Sequence, residues 1–106
     1  MRKIPVVTAI SCGILSLPMA YADITQLLQN NACTACHQPA VRAVGPSWQE
    51  IAQRYGDGSK SAEQLGSSIK SGSSGAWGAV PMPPQAQLSD SDATSIAEWI
   101  LTGPHQ

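Results

Sequence analysis

The sequence predicts an all-α fold of four short helices, and three observations carry that prediction. Apolar residues recur at helical spacing in four separate segments, each segment opens on a residue able to cap a helix N-terminus, and strand-type alternation is absent.

The first helix is expected from about Asp23 to Asn31, with Asp23 as its cap, Gln26 three residues later, and Ile24, Leu27 and Leu28 on one face. The second begins at Ser47, where Glu50 completes a capping box. Trp48, Ile51, Ala52 and Tyr55 then form one stripe that stops at Gly56. The third repeats this grammar: Ser61 and Gln64 make a box, Ala62, Leu65 and Ile69 turn inward, Lys70 sits in the last turn and Gly72 lies beyond it. In the fourth, Ser89 and Asp92 mark the start. Ala93, Ile96, Ala97, Trp99, Ile100 and Leu101 are its apolar residues, and Gly103-Pro104 stops it. Ser71 to Gln87, rich in Gly, Ser and Pro, reads as a long ordered loop.

The residues ahead of the first helix follow a different pattern. Met1-Arg2-Lys3 is a positive start, Ile4 to Pro18 is an apolar run broken by Pro5, Ser11 and Gly13, and Ala20-Tyr21-Ala22 is a small-x-small cleavage pattern. A membrane anchor competes with this reading, but the run is shorter than the ~20 residues a spanning helix needs. A signal peptide of residues 1–22, removed after Ala22, is therefore expected, with export to the periplasm and a single mature domain of residues 23–106. Cys12 would be discarded with the leader, since as a lipoprotein site it has too little chain ahead of it.

Losing Arg2 and Lys3 leaves four basic residues against seven acidic, a formal charge of −3. No basic stripe or polybasic run remains, so neither nucleic acid nor insertion of the mature protein into a membrane is expected. A domain this small, with no Phe and only Trp48, Tyr55, Trp77 and Trp99 as aromatics, needs something to supplement its core.

Cys33-Thr34-Ala35-Cys36-His37 names the supplement, because it has the spacing of c-type haem attachment. Two thiols one turn apart can each add to a haem vinyl group, and the adjoining imidazole then serves the iron as proximal ligand. One haem c, held covalently through two thioether bonds at Cys33 and Cys36, is the expected cofactor. Zinc would need two more ligands than the motif's thiols and offers only His37, distant His105 and carboxylates. A thioredoxin-like pair would want a βαβ pattern, and a plain disulfide leaves His37 unexplained.

Met1 and Met19 belong to the leader, so Met82 is the only methionine left to ligate the iron opposite His37. In Val80-Pro81-Met82-Pro83-Pro84 the prolines stiffen the chain on both sides and favour an extended Met82, although a lone Met can equally be core filler. His105 is the alternative ligand, on a tail expected to fray, and an open iron is the third possibility. In Val44-Gly45-Pro46 the Pro46 carbonyl is a candidate acceptor for the His37 Nδ1 proton, or Pro46 simply starts the second helix. Trp77 has an indole N–H for which a haem propionate is a natural partner, with packing of the loop as the competing role.

With the haem motif, Val44-Gly45-Pro46 and Gly75-Ala76-Trp77-Gly78-Ala79-Val80-Pro81-Met82-Pro83-Pro84 in this order, the chain resembles bacterial class I cytochromes c of the c-551 type. The likeness covers nearly all of the mature chain. It implies a small class I cytochrome c fold, four short helices around one covalently attached haem. His37 and Met82 would be axial, Pro46 hydrogen-bonded to His37, and Trp77 near a propionate. It also implies a crossing of the first and fourth helices that packs Leu27 and Leu28 with Trp99. The chain departs from the family in having Ala32 where Gly often precedes the first Cys, and Leu27 where the first helix often carries an aromatic residue.

An iron held by His and Met has no vacant site, which suits one-electron transfer and not substrate binding; a relatively high potential follows from the thioether and an apolar pocket. A monomeric, non-enzymatic carrier is expected, and the resemblance supplies its partners: an electron donor, and a terminal oxidase or reductase as acceptor. The rivals are a haem enzyme or sensor with an open iron, and a haem subunit or small domain of a larger redox complex. The segments Gln38 to Pro46 and Val80 to Pro84 contain one charge, Arg42, so docking through apolar contact, with weak salt dependence, is expected.

Overall fold

The computed structural model describes residues 2–6, 8, 13, 20–103 and 105. Cys12, the methionines Met1 and Met19, and Pro104 lie outside the described residues. Among the described residues there are four helices, α1 (Ala20–Asn30), α2 (Trp48–Tyr55), α3 (Ala62–Ser71) and α4 (Asp90–Leu101), and a single 3₁₀ turn at Cys33–Ala35. Among the described residues the only extended pairings are two isolated bridges, His37 with Arg42 and Ser73 with Met82, so the all-α prediction holds. No described helix is long and apolar enough to cross a membrane.

The helix starts lie where the capping residues place them. Ser47 Oγ accepts from the Glu50 N–H at 3.0 Å and the Glu50 carboxylate accepts from the Ser47 N–H at 3.1 Å, closing both halves of the box. Ser61 and Gln64 repeat the pair at 3.1 and 2.9 Å, and Ser89 accepts from Asp92 N–H at 3.0 Å. Each box satisfies N–H groups that a helix cannot pair internally. Helix α1 differs from expectation: it begins at Ala20, so Asp23 lies inside the helix and not ahead of it. Ala20 and Ala22 are the strongest of helix formers and carry the first turn upstream of the acidic residue.

Helices α3 and α4 share the most extensive contact, and α1 and α2 each pack on α4 as well. Gly66 makes the first contact close, since a Cβ there would stand 3.0 Å from the Thr94 nitrogen. The buried apolar residues are Ile24 and Leu28 of α1, Trp48 and Ile51 of α2, Leu65 and Ile69 of α3, Leu88, and Ala93, Ile96, Ala97 and Ile100 of α4. Leu27 and Trp99 flank this core half-buried, and the Trp99 ring meets Trp48 edge-on at 5.5 Å. Lys70 and Asp90 join α3 to α4 through an exposed ion pair at 2.6 Å, which lowers the Asp90 carboxyl pKa but adds little stability at the surface.

Between α1 and the haem motif the backbone turns through Ala32, a non-glycine residue at φ 55°, ψ 26°. Left-handed backbone costs an L-residue roughly 1–2 kcal/mol, more than the roughly 0.4–1 kcal/mol glycine loses through unfolded-state freedom. Ala32→Gly is therefore expected to stabilise the folded protein by about 0.5–1 kcal/mol. Guanidinium titration of the haem-loaded protein checks this through a higher midpoint at constant slope.

Candidate haem site

The haem motif is built on backbone hydrogen bonds that begin at the end of α1. Ala35 N–H donates to Ala32 O at 3.1 Å, and the Cys36 and His37 N–H groups both donate to Cys33 O, at 3.2 and 3.0 Å. This tight turn presents Cys33 and Cys36 as free, half-buried thiols. Burial pushes the Cys33 thiol above its ordinary pKa. Among the described residues, no group of three or more His, Cys, Asp or Glu side chains is disposed to hold a metal ion.

His37 is buried, and its Nδ1 lies 2.7 Å from the Pro46 carbonyl. A carbonyl only accepts, so Nδ1 carries the proton and Nε2 is left with its lone pair free for a metal. The Pro46 carbonyl is aimed by its neighbours. Gly45 N–H donates to Cys36 O at 2.9 Å, and the first N–H groups of α2, on Trp48 and Gln49, donate to Gln38 O and Pro39 O at 2.9 and 3.1 Å. Pro46 thus does both things the sequence left open: it leads into α2 and it orients His37.

Sequence reasoning missed two further contacts of this imidazole. Trp48 stacks on its face, centroids 4.7 Å apart and planes 26° from parallel. Gly45 closes on its edge: a Cβ there would stand 2.9 Å from His37 Cε1 and 3.2 Å from Nδ1. The signal was in Val44-Gly45-Pro46, where the glycine went unread beside the proline.

Met82 sits on a strap fastened to the end of α3. Ser73 N–H donates to Met82 O at 3.1 Å, Met82 N–H donates to Ser73 O at 2.9 Å, and Gln85 N–H reaches Ile69 O at 3.2 Å. Gly72 makes the approach possible: it sits at φ +75°, and a Cβ would come within 2.6 Å of Met82 O and 2.8 Å of Pro84 N. Beyond the prolines, Gln87 donates to the Asn31 side chain at 3.0 Å, tying the strap to the end of α1 just ahead of the haem motif. Met82 itself is half-buried, and the strap and residues 71–74 line an open cleft of about 680 Å³.

Trp77 is half-buried, its ring edge-on to Tyr55 at 6.1 Å and covered by the Arg54 guanidinium at 4.4 Å. Arg42 and Arg54, far apart in sequence, donate to the consecutive carbonyls of Trp77 and Ala76. Nothing in the spacing of these arginines announced that clamp. His105 is not frayed. Its Nε2 donates to the carbonyls of Trp99 and Ile100 at 2.9 and 3.2 Å, and its ring stacks on Trp99 at 3.9 Å. The unpaired carbonyls at the end of α4 and the indole face give the tail its docking site.

Two unpaired thiols one turn apart, followed by a buried imidazole with Nε2 free, fit covalent haem on an all-α scaffold: the fold and the site define a haem protein. A family model described as Cytochrome c matches residues 21–104. Cytochrome c-552 of Nitrosomonas europaea is 44% identical over 95 residues, covering 90% of this chain and 91% of that protein. Cytochrome c-551 of Pseudomonas aeruginosa is 33% identical over 103 residues, covering 96% and 98%. The crystal structure of wild-type Nitrosomonas europaea cytochrome c552 superposes with a TM-score of 0.69 at 47% identity, covering 74% of this chain and 96% of that one. The chain belongs to the cytochrome c family, as a class I monohaem c-type cytochrome that carries one haem c at the motif of Cys33 and Cys36 and serves electron transport.

Proposed function

We propose that the chain is a periplasmic one-electron carrier, freed of residues 1–22 on export, with His37 and Met82 as axial ligands of its haem. The haem supplies an iron that gains and loses one electron. The remaining roles belong to the chain. Cys33 and Cys36 would hold the macrocycle, the Pro46 carbonyl keeps the His37 proton on Nδ1, and Met82 would offer its thioether to the iron from a strap with little backbone freedom. Trp77, held by Arg42 and Arg54, would offer its indole N–H to a propionate.

The observation that carries this reading is the 2.7 Å contact of His37 Nδ1 with Pro46 O, which leaves Nε2 basic and available beside the two attachment thiols. His105 is a poorer ligand, because its Nε2 is already committed to the end of α4. With both axial positions filled by protein, the reading is of a carrier without enzymatic activity, acting as a monomer between an electron donor and a terminal oxidase or reductase.

Absorption spectra of the periplasmically expressed protein in both oxidation states test the ligation, together with its intact mass. The expected result is a low-spin c-type spectrum that carbon monoxide leaves unchanged, on a chain beginning at Asp23 and heavier by one haem. Carbon monoxide binding by the unaltered protein would favour an open-iron enzyme or sensor. Elution only within a larger assembly would favour the role of a bound subunit.

Docking is proposed to be apolar, supported by the single charge, Arg42, in the segments Gln38 to Pro46 and Val80 to Pro84; the competing role for Val41, Val44 and Val80 is packing against the haem from within, which leaves orientation to the acidic net charge. Electron transfer to the native partner is then expected to vary weakly with ionic strength and to slow in Val41→Ser and Val80→Ser, as stopped-flow mixing would show. A steep salt dependence unaffected by either substitution would show that charge does the steering.

A further inference from the structure

His37 is the inner end of a run of four rings that reaches the last described residue. Its face stacks on Trp48 at 4.7 Å and 26°. Trp48 meets Trp99 edge-to-face at 5.5 Å and 81°, and Trp99 stacks on His105 at 3.9 Å and 27°. The rings come from four places in the chain: the haem motif, α2, α4 and the tail. The outer end is fastened, because His105 Nε2 donates to the carbonyls of Trp99 and Ile100 at 2.9 and 3.2 Å. Gly103 brings the tail back against α2, where a Cβ on it would stand 2.8 Å from Ala52 Cβ.

Two different contacts hold the His37 ring. The hydrogen bond to Pro46 O pins its edge at Nδ1, while the plane of Trp48 limits rotation of its face. Trp48 is itself one of the buried core residues, so its tilt is set by what packs on it, and Trp99 is a ring in edge-on contact with it. Trp99 is only half-buried, and His105 covers one face of its indole. Offset-stacked and edge-to-face ring pairs have preferred geometries, so moving the outermost ring changes the arrangement favoured by each ring inside it. Close-packed interiors transmit such displacements and do not absorb them.

We propose that His105 is a positioning residue for the proximal ligand, acting through Trp99 and Trp48 to fix the plane of the His37 imidazole. This rests on the reading of His37 as an axial ligand. The plane of an axial imidazole, together with the orientation of the thioether opposite it, selects which iron d orbital would hold the unpaired electron of the ferric state. With Met82 unaltered, a change in that plane would therefore redistribute spin density around the macrocycle from which the electron leaves.

The test is proton NMR of the haem-loaded ferric protein, whose haem-methyl resonances report that distribution directly and are blind to a loss of stability that leaves the fold intact. His105→Ala is expected to displace the haem-methyl resonances, and His105→Phe, which keeps the stack without the hydrogen bonds, to restore most of the native pattern. In a Trp99→Leu background, His105→Ala is expected to add no further displacement, as a route through Trp99 requires. Unchanged resonances in folded His105→Ala would overturn the proposal, as would an equal displacement in the Trp99→Leu background. The ligand assignment fails separately: His37→Ala with a normal absorption spectrum would remove it, whatever the tail does.

Discussion

Met82→Ala is expected to open the iron while leaving the haem attached. The thioether bonds at Cys33 and Cys36 hold the macrocycle independently of the strap. The strap, in turn, is held by contacts the substitution does not touch: the reciprocal Ser73–Met82 backbone pair at 3.1 and 2.9 Å, the Gln85–Ile69 bond and the Gln87–Asn31 bond. Losing a half-buried methionine side chain is expected to cost about 2 kcal/mol, at the low end for truncation to alanine. The spectroscopic change is the larger effect. Carbon monoxide and exogenous imidazole should bind where neither binds the unaltered protein, and the potential should fall because thioether ligation, which raises it, is gone. If Met82→Ala keeps the native spectrum and His105→Ala alters it, the sixth ligand is His105 and the assignment is wrong.

The parts of the fold that could be read from the sequence are those governed by local chemistry. Ser47 with Glu50 and Ser61 with Gln64 fix helix starts through bonds three residues long, so their spacing alone locates α2 and α3. The haem motif is equally local. The Pro46 carbonyl was one of two readings of Val44-Gly45-Pro46, an acceptor for His37 or the start of α2, and the 2.7 Å contact shows the first alongside the second. Helix α1 extends upstream of Asp23 in the full-length chain because the preceding alanines favour helix without a cap, and that extra turn lies in the segment proposed to be removed.

What stayed hidden depends on segments meeting in space. Arg42 and Arg54 converge on adjacent carbonyls only after α2 and the Trp77 loop are packed together, and no periodicity encodes that. The docking of His105 requires the end of α4 and the Trp99 face to be presented together. Ala32 is a different case: its left-handed backbone follows from the abrupt passage from α1 into the 3₁₀ turn, where the family often uses glycine. The departure was visible in the sequence, but its cost appears only once φ is known.

Gly45→Ala should damage the site more than its single added methyl group implies. The methyl carbon would stand 2.9 Å from His37 Cε1 and 3.2 Å from Nδ1, so one of the two groups must move. Neither moves freely. Gly45 is held by its N–H bond to Cys36 O at 2.9 Å, and the imidazole is held by Pro46 O on its edge and Trp48 on its face. Overpacking of this kind costs roughly 1–3 kcal/mol, and a lengthened Nδ1 bond to Pro46 O would also make Nε2 a weaker donor. The expected result is haem-loaded protein with a lower guanidinium midpoint and a raised potential, since a poorer proximal donor stabilises the ferric state less. Gly58→Ala, at a position with open space, is the control for substituting a glycine in a turn, although its φ of +88° adds a backbone cost of its own. Loss of stability in Gly45→Ala with an unshifted potential would mean that the imidazole keeps its orientation and the backbone yields instead. A potential shift of the same size in Gly58→Ala would mean that the effect is not specific to the proximal side.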